Sequence, residues 1–214
     1  MNLQMGMKLL SIVFQVALFA AIPFMWWAVT ARKKKVGFFQ WIGLYKPGLK
    51  TKWYFFLLFT VFYILWYGLR SVITMKIDSR GLWLTSPKVE ANAYLGLGFS
   101  AIPISFIQAF IQNGLAEELF FRGFLLKRFS NRFGKISGWL VSSVLFGLIH
   151  IVLGWAAGIP FDVPTQIMTF ASVSCGGLLL AFLNEKIFNG SIFPSIVFHG
   201  CGDFVSAMIQ AFSR

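Results

Sequence analysis

The chain has 214 residues, of which 57% are hydrophobic, 18% aromatic and only 12% charged; its mean hydropathy is +0.74, outside the balance of soluble domains. A soluble globular enzyme is excluded, and an integral membrane protein is indicated. The net charge of +12 does not imply a nucleic-acid partner, because the cations sit in short connecting loops rather than on one soluble face.

In chain order, apolar stretches run over residues 9–29, 53–69, 94–128, 138–157, 163–183 and 192–212. Each is near or above the roughly 20 residues that cross a hydrocarbon core about 30 Å thick. The fold class expected is all-α, a polytopic transmembrane helix bundle of about six spans. The first stretch follows one cation and ends in "RKKK", the pattern of a retained span rather than a cleaved signal. "ARKKKVGFFQWIGLYKPGLKTK" at 31–52 then carries Arg32, Lys33, Lys34, Lys35, Lys46, Lys50 and Lys52. The third stretch is too long for one upright span, and Gly96, Gly98 and Pro103 are expected to start it late or break it. "KRFSNRFGK" at 127–135 follows it with Lys127, Arg128, Arg132 and Lys135.

With the N-terminus outside, the loops after spans one, three and five carry twelve Lys and Arg, against six in the outer segments, Lys8, Arg70, Lys76, Arg80, Lys88 and Arg214. The richer loops are the cytoplasmic ones under the positive-inside rule. No internal repeat or soluble domain is visible. Residues 1–90 form an N-terminal part of spans and basic loop, and 91–214 hold the polar residues described next. Cys175 and Cys201 both lie in apolar stretches, where a buried free thiol is the ordinary finding and a disulfide or metal thiolate is not.

An ionisable group at membrane depth costs a few kcal/mol, so such groups face the bundle interior and have a task. Glu117, Glu118, His150, His199 and Asp203 all fall in spans, whereas Asp78, Glu90, Asp162 and Glu185 fall in or beside loops. Glu118 and Arg122 are four apart, one helical turn, and can pair. Glu117 points about 100° away from Glu118 on an ideal helix, with no partner of that kind on its own helix. His199 and Asp203 also share a face, and Gly200 and Gly202 between them leave room for a backbone or ligand to approach.

A carboxylate and a histidine converging on one water can deprotonate it, and a second histidine with a polar neighbour can stabilise a tetrahedral oxyanion. That combination hydrolyses a peptide bond without a covalent intermediate. A serine nucleophile has only Ser142 and Ser143 to draw on, far from His150 and outside any "GxSxG". Cys201 and His199, two apart, point to different sides of a helix. Glu117 with the two histidines could just supply a zinc site, although no "HExxH" is present.

Three motifs, EExxxR in "EELFFR" (Glu117, Glu118, Arg122), FxxxH in "FGLIH" (Phe146 to His150) and HxxxN/D in "HGCGD" (His199 to Asp203), resemble those of the CPBP family, the CAAX protease and bacteriocin-processing enzymes also called Abi. The resemblance implies a glutamate-dependent intramembrane endopeptidase whose catalytic core is 91–214 and whose site opens to the cytoplasm of, for so short and basic a chain, a bacterial cell membrane. It implies Glu117 and His150 as activators of water, His199 and Asp203 as the oxyanion site, and Glu118 and Arg122 as supports. It requires no cofactor, zinc being the minor alternative. The partners implied are membrane lipids and a peptide or membrane-protein end as substrate, in bacteriocin maturation, peptide signalling or self-immunity. Eukaryotic members carry Asn at the last motif position; Asp203 donates a hydrogen bond only when protonated, so it either serves the oxyanion or orients His199. Two other classes use similar residues: a non-catalytic immunity or scaffold protein, which has no need of both histidines, and a proton-coupled transporter, which would show repeated halves.

Overall fold

A computed structural model describes residues 3–32, 35–48, 52–77, 90–159 and 162–213. Lys33, Lys34, Lys50, Asp78, Arg80, Lys88 and Arg214 lie outside the described residues, as do the side chains of Lys76 and Glu90. Among the described residues every regular element is helical. Helix α1 is Leu3–Thr30, α2 the short Phe38–Ile42, and α3 Trp53–Ile77. A continuous helical rod at 102–133, α4, follows two 3-10 turns, and α5 is Lys135–Ala156. Helix α6 is Val163–Phe182, prolonged by a π turn at Leu183–Ile187, and α7 is Phe193–Phe212.

Helix-forming apolar residues with few interruptions explain the long rods, since a backbone removed from water must satisfy its polar groups internally. The third stretch starts late, as its glycines and proline dictate. Gly96 and Gly98 adopt φ of +71° and +53°, which glycine alone adopts cheaply, and Pro103 sits in the first turn after Ala101, where its missing N–H costs nothing. At the start of α6 the Asp162 carboxylate accepts from the Thr165 N–H at 2.9 Å, an N-cap worth about 1 kcal/mol.

Among the described residues, four helices are long and apolar enough to cross a membrane: Lys8–Thr30, Trp53–Ile73, Lys135–Ala156 and Val163–Ile187. Their outer faces present Val13, Leu65, Leu140 and Ile167 to the surroundings, the reverse of a soluble surface. The two remaining rods, α4 and α7, pack at the centre and carry the ionisable residues. Helix α7 lies against α3 and α4, while α5 and α6 form the tightest pair.

Helix α4 is not a regular α-helix. Two π stretches, Gln108–Leu115 and Leu119–Leu126, flank the α-helical Ala116–Glu118. Such widened turns recur at functional sites because they re-aim side chains. The room expected at Gly200 and Gly202 is taken by aromatic rings rather than left for a ligand. A Cβ at Gly200 would lie 2.5 Å from the Phe110 ring, and one at Gly202 would lie 2.5 Å from the Tyr67 ring. These contacts seat α7 against α4 and α3.

Candidate active site

Glu117, His150, His199 and Asp203 line one cavity of about 570 Å³ between α1, α3, α4, α5, α6 and α7. Glu118 and Arg122 stand behind it, 0% and 1% exposed, with Nη1 of Arg122 3.0 Å from Oε1 of Glu118. The i, i+4 pair expected from the sequence is therefore formed, and it does more than fix its own helix. The same Glu118 oxygen lies 3.1 Å from Nδ1 of His199. A buried carboxylate at that distance holds the proton on Nδ1 and turns Nε2 toward the cavity.

His199 is thereby placed between two carboxylates of the EE pair. Its Nε2 is 3.9 Å from Oε2 of Glu117 and 3.5 Å from Oδ2 of Asp203. Glu117 and Glu118 point apart on an ideal helix, but an imidazole has two nitrogens on different edges, so one ring engages both.

Glu117 also gains a partner that its own helix did not supply. Gln15 of α1 donates through Nε2 to Glu117 Oε1 at 3.3 Å, and the Gln112 side-chain amide donates to Gln15 Oε1 at 2.9 Å. Asp203 is held by Asn113, whose Nδ2 donates to Oδ2 at 2.8 Å. Sequence reasoning missed Gln15 and Asn113. The available signal was a single amide inside an apolar run, "SIVFQVALFA", and an Asn one turn before Glu117.

His150 reaches the cavity from α5. Its Nδ1 is 2.7 Å from the Phe146 carbonyl oxygen, an atom that only accepts, so the proton sits on Nδ1 and Nε2 keeps its lone pair. Phe146 joins the parts. Its ring centroid is 4.7 Å from that of His150 and 5.8 Å from that of His199, and the Arg122 guanidinium carbon lies 4.1 Å over its face.

The nucleophile candidates weighed from the sequence, Ser142, Ser143, Cys175 and Cys201, do not line the cavity. Ser142 donates to the Phe121 carbonyl oxygen at 2.8 Å, a bond within the helix packing. Cys175 and Cys201 are free thiols, and neither lines the cavity. Among the described residues, no group of three His, Cys, Asp or Glu is arranged to hold a metal ion.

A family profile, Type II CAAX prenyl endopeptidase Rce1-like, matches residues 99–205, half of the chain. The chain belongs to this family. No curated protein and no solved structure matches it. As an Rce1-like protein with four helices among the described residues long and apolar enough to cross a membrane, it is an integral membrane protein of a protease family, and its fold is the expected all-α membrane bundle. The matched segment contains all three motifs and Asn113; Gln15 lies outside it.

The Asn113 contact yields a test of its own. Asn113→Ala is expected to lower hydrolysis about tenfold, the effect of one lost positioning hydrogen bond of about 1.4 kcal/mol. Asn113→Asp is expected to be worse, because it sets a second carboxylate against Asp203. Equal kcat in wild type and both variants would remove Asn113 from the site.

Proposed function

We propose that this Rce1-like protein is an intramembrane endopeptidase that hydrolyses a peptide bond with a water activated by Glu117 and His150. The observation that carries the reading is the cavity that Glu117, His150, His199 and Asp203 line together. The catalytic core spans 91–214, and residues 1–90 add two spans, a basic loop and Gln15.

A water bound in the cavity that Glu117 and His150 line loses a proton to one of them, the Nε2 of His150 keeping a lone pair that can accept it. The oxygen bonds to the scissile carbonyl carbon, and the carbonyl electron pair moves onto its oxygen. His199 then acts as the donor to that oxyanion. With Nδ1–H committed to Glu118, a second proton on Nε2 makes it a donor toward the cavity, and the surrounding carboxylates of Glu117, Glu118 and Asp203 offset the charge. Asp203, 3.5 Å from Nε2 and accepting from Asn113, orients His199 rather than donating itself. The captured proton passes to the amine nitrogen as the carbon–nitrogen bond breaks. Removing one oxyanion donor costs about 10²–10³ in kcat in well-studied hydrolases.

The substrate is a small peptide or a membrane-protein end, in the setting of bacteriocin maturation, peptide signalling or self-immunity. Incubating the purified protein in lipid with a C-terminal cysteine peptide, prenylated and unprenylated, tests the reading. Cleavage of either peptide that Glu117→Ala abolishes supports it; no cleavage of any offered peptide by a well-folded preparation counts against it and in favour of a scaffold.

The chemistry is proposed to run without a metal or protein nucleophile. Activity is expected to survive a strong chelator, serine-directed reagents and the double variant Cys175→Ala, Cys201→Ala. Loss to the chelator and recovery with zinc would turn Glu117, His150 and His199 into ligands and overturn the metal-free mechanism.

A further inference from the structure

Two tyrosines stand one turn apart on α3, Tyr63 and Tyr67, and both line the cavity with Glu117, His150, His199 and Asp203. Four residues apart, they share a face of the helix, yet their hydroxyls are used differently. Tyr63 is 1% exposed, its ring is stacked 5.9 Å from that of Phe198, and its Oη donates to the Gly176 carbonyl oxygen at 2.7 Å. That hydroxyl ties α3 to α6. Tyr67 is only partly buried, and among the described residues its hydroxyl makes no hydrogen bond. A phenol set inside an apolar bundle ordinarily has a partner.

The Tyr67 ring is nonetheless held firmly. Its edge lies on Gly202 of α7, where a Cβ would come within 2.5 Å of Cδ2 and 2.7 Å of Cε2. Gly202 falls between His199 and Asp203 in the sequence, so the ring packs on the backbone that carries both site residues. Its centroid is 6.4 Å from that of His199, with 41° between the ring planes, and 6.3 Å from that of Tyr63.

The proposed hydrolysis lacks what this hydroxyl supplies. Asp203 accepts from Asn113 at 2.8 Å, and a carboxylate has no proton to donate. His199 is then the one donor among the motif residues for the developing oxyanion. Charge of that kind is stabilised by preorganised donors, tyrosine hydroxyls among them. We infer that Tyr67 is a further catalytic residue, whose hydroxyl donates a hydrogen bond to the oxyanion beside His199. The phenol keeps its proton throughout, so the proton balance of the hydrolysis is unchanged. Tyr67 lies outside the matched segment 99–205, and α3 thereby contributes to the chemistry as well as to the wall. This role rests on the proposed proteolysis.

The two tyrosines test it against each other. Tyr67→Phe keeps the ring on Gly202 and removes only the hydroxyl; Tyr63→Phe removes a hydroxyl that joins two helices. The purified full-length protein in lipid is assayed on the C-terminal cysteine peptide, prenylated and unprenylated. Affinity is also measured for the same peptide with a phosphinate, an anionic mimic of the tetrahedral intermediate, in place of the amide that the wild type cuts. Tyr67→Phe is expected to lower kcat about 10²-fold with KM within about threefold, the mark of a contact made only in the transition state. Phosphinate binding is expected to weaken by a similar factor, and the detergent melting point to stay at the wild-type value. Tyr63→Phe is expected to lower melting and to keep kcat within about threefold. A loss confined to KM overturns the inference, as does phosphinate affinity that stays constant while kcat falls, or an equal kcat loss in both variants. Cleavage by wild type with Tyr67→Phe unimpaired sinks this role alone, whereas no cleavage by wild type sinks the proteolysis and this role with it.

Discussion

Glu117→Ala, His150→Ala and His199→Ala are each expected to abolish hydrolysis, by roughly 10³-fold or more, while the protein stays in the membrane at near-normal level. Glu117 and His150 face the cavity from different helices, so each loss removes a different contact to the water. His199 is the shared neighbour of Glu117, Glu118 and Asp203. Because the three act as a unit, the triple variant should be no slower than the slowest single one. Rates of the three single variants and the triple, measured on one peptide in one lipid, check this. Substantial activity in any single variant would remove that residue from the mechanism. His199→Ala also releases a contact of buried Glu118, so its melting in detergent is compared with that of Glu117→Ala to separate lost chemistry from lost structure.

Arg122→Ala is expected to lower abundance and detergent melting far more than Glu117→Ala. Glu118 is 0% exposed, and without the guanidinium it becomes an uncompensated buried acid at a cost of roughly 3–5 kcal/mol. Packing adds to the loss, because the guanidinium covers the Phe146 face and nearly touches α6. A Cβ at Gly177 would lie 2.7 Å from Arg122 Nη2. Removing the side chain therefore empties space between α4, α5 and α6. Glu117 is 13% exposed and borders the cavity, so its truncation leaves no such void. Equal abundance and melting of the two variants would count against the pair. Replacing Glu118 and Arg122 together by Met is expected to recover part of the stability, since no charge is then stranded, but no activity, since Nδ1 of His199 loses its acceptor.

The bundle and the ionisable residues gathered inside it were legible in the chain because both rest on local rules. Long apolar runs must be helical where water is absent, and ionisable residues within them are rare enough to stand out. The spacing of Glu118 and Arg122 named an ion pair that the fold makes at 3.0 Å. The late start of α4 followed from Gly96, Gly98 and Pro103 for similar reasons, each being a property of one or two residues.

Other features depended on which helices meet, and no local rule carries that information. An ideal-helix wheel sends Glu117 and Glu118 apart, yet one imidazole from α7 takes Glu118 at Nδ1 and has Glu117 3.9 Å from Nε2. The glycines beside His199 look like open space in the sequence, and Phe110 and Tyr67 fill them. The residues steadying the acids come from elsewhere, Gln15 from α1 and Asn113 from a π turn of α4, and an isolated amide in an apolar run does not say which neighbour it will find. Charge along the chain determined which end of the bundle is basic, because a short loop's lysines and arginines act wherever the helices pack. Only the tertiary structure decided that Glu117, His150, His199 and Asp203 line one cavity, because a cavity is the space that packed side chains from six helices leave unfilled.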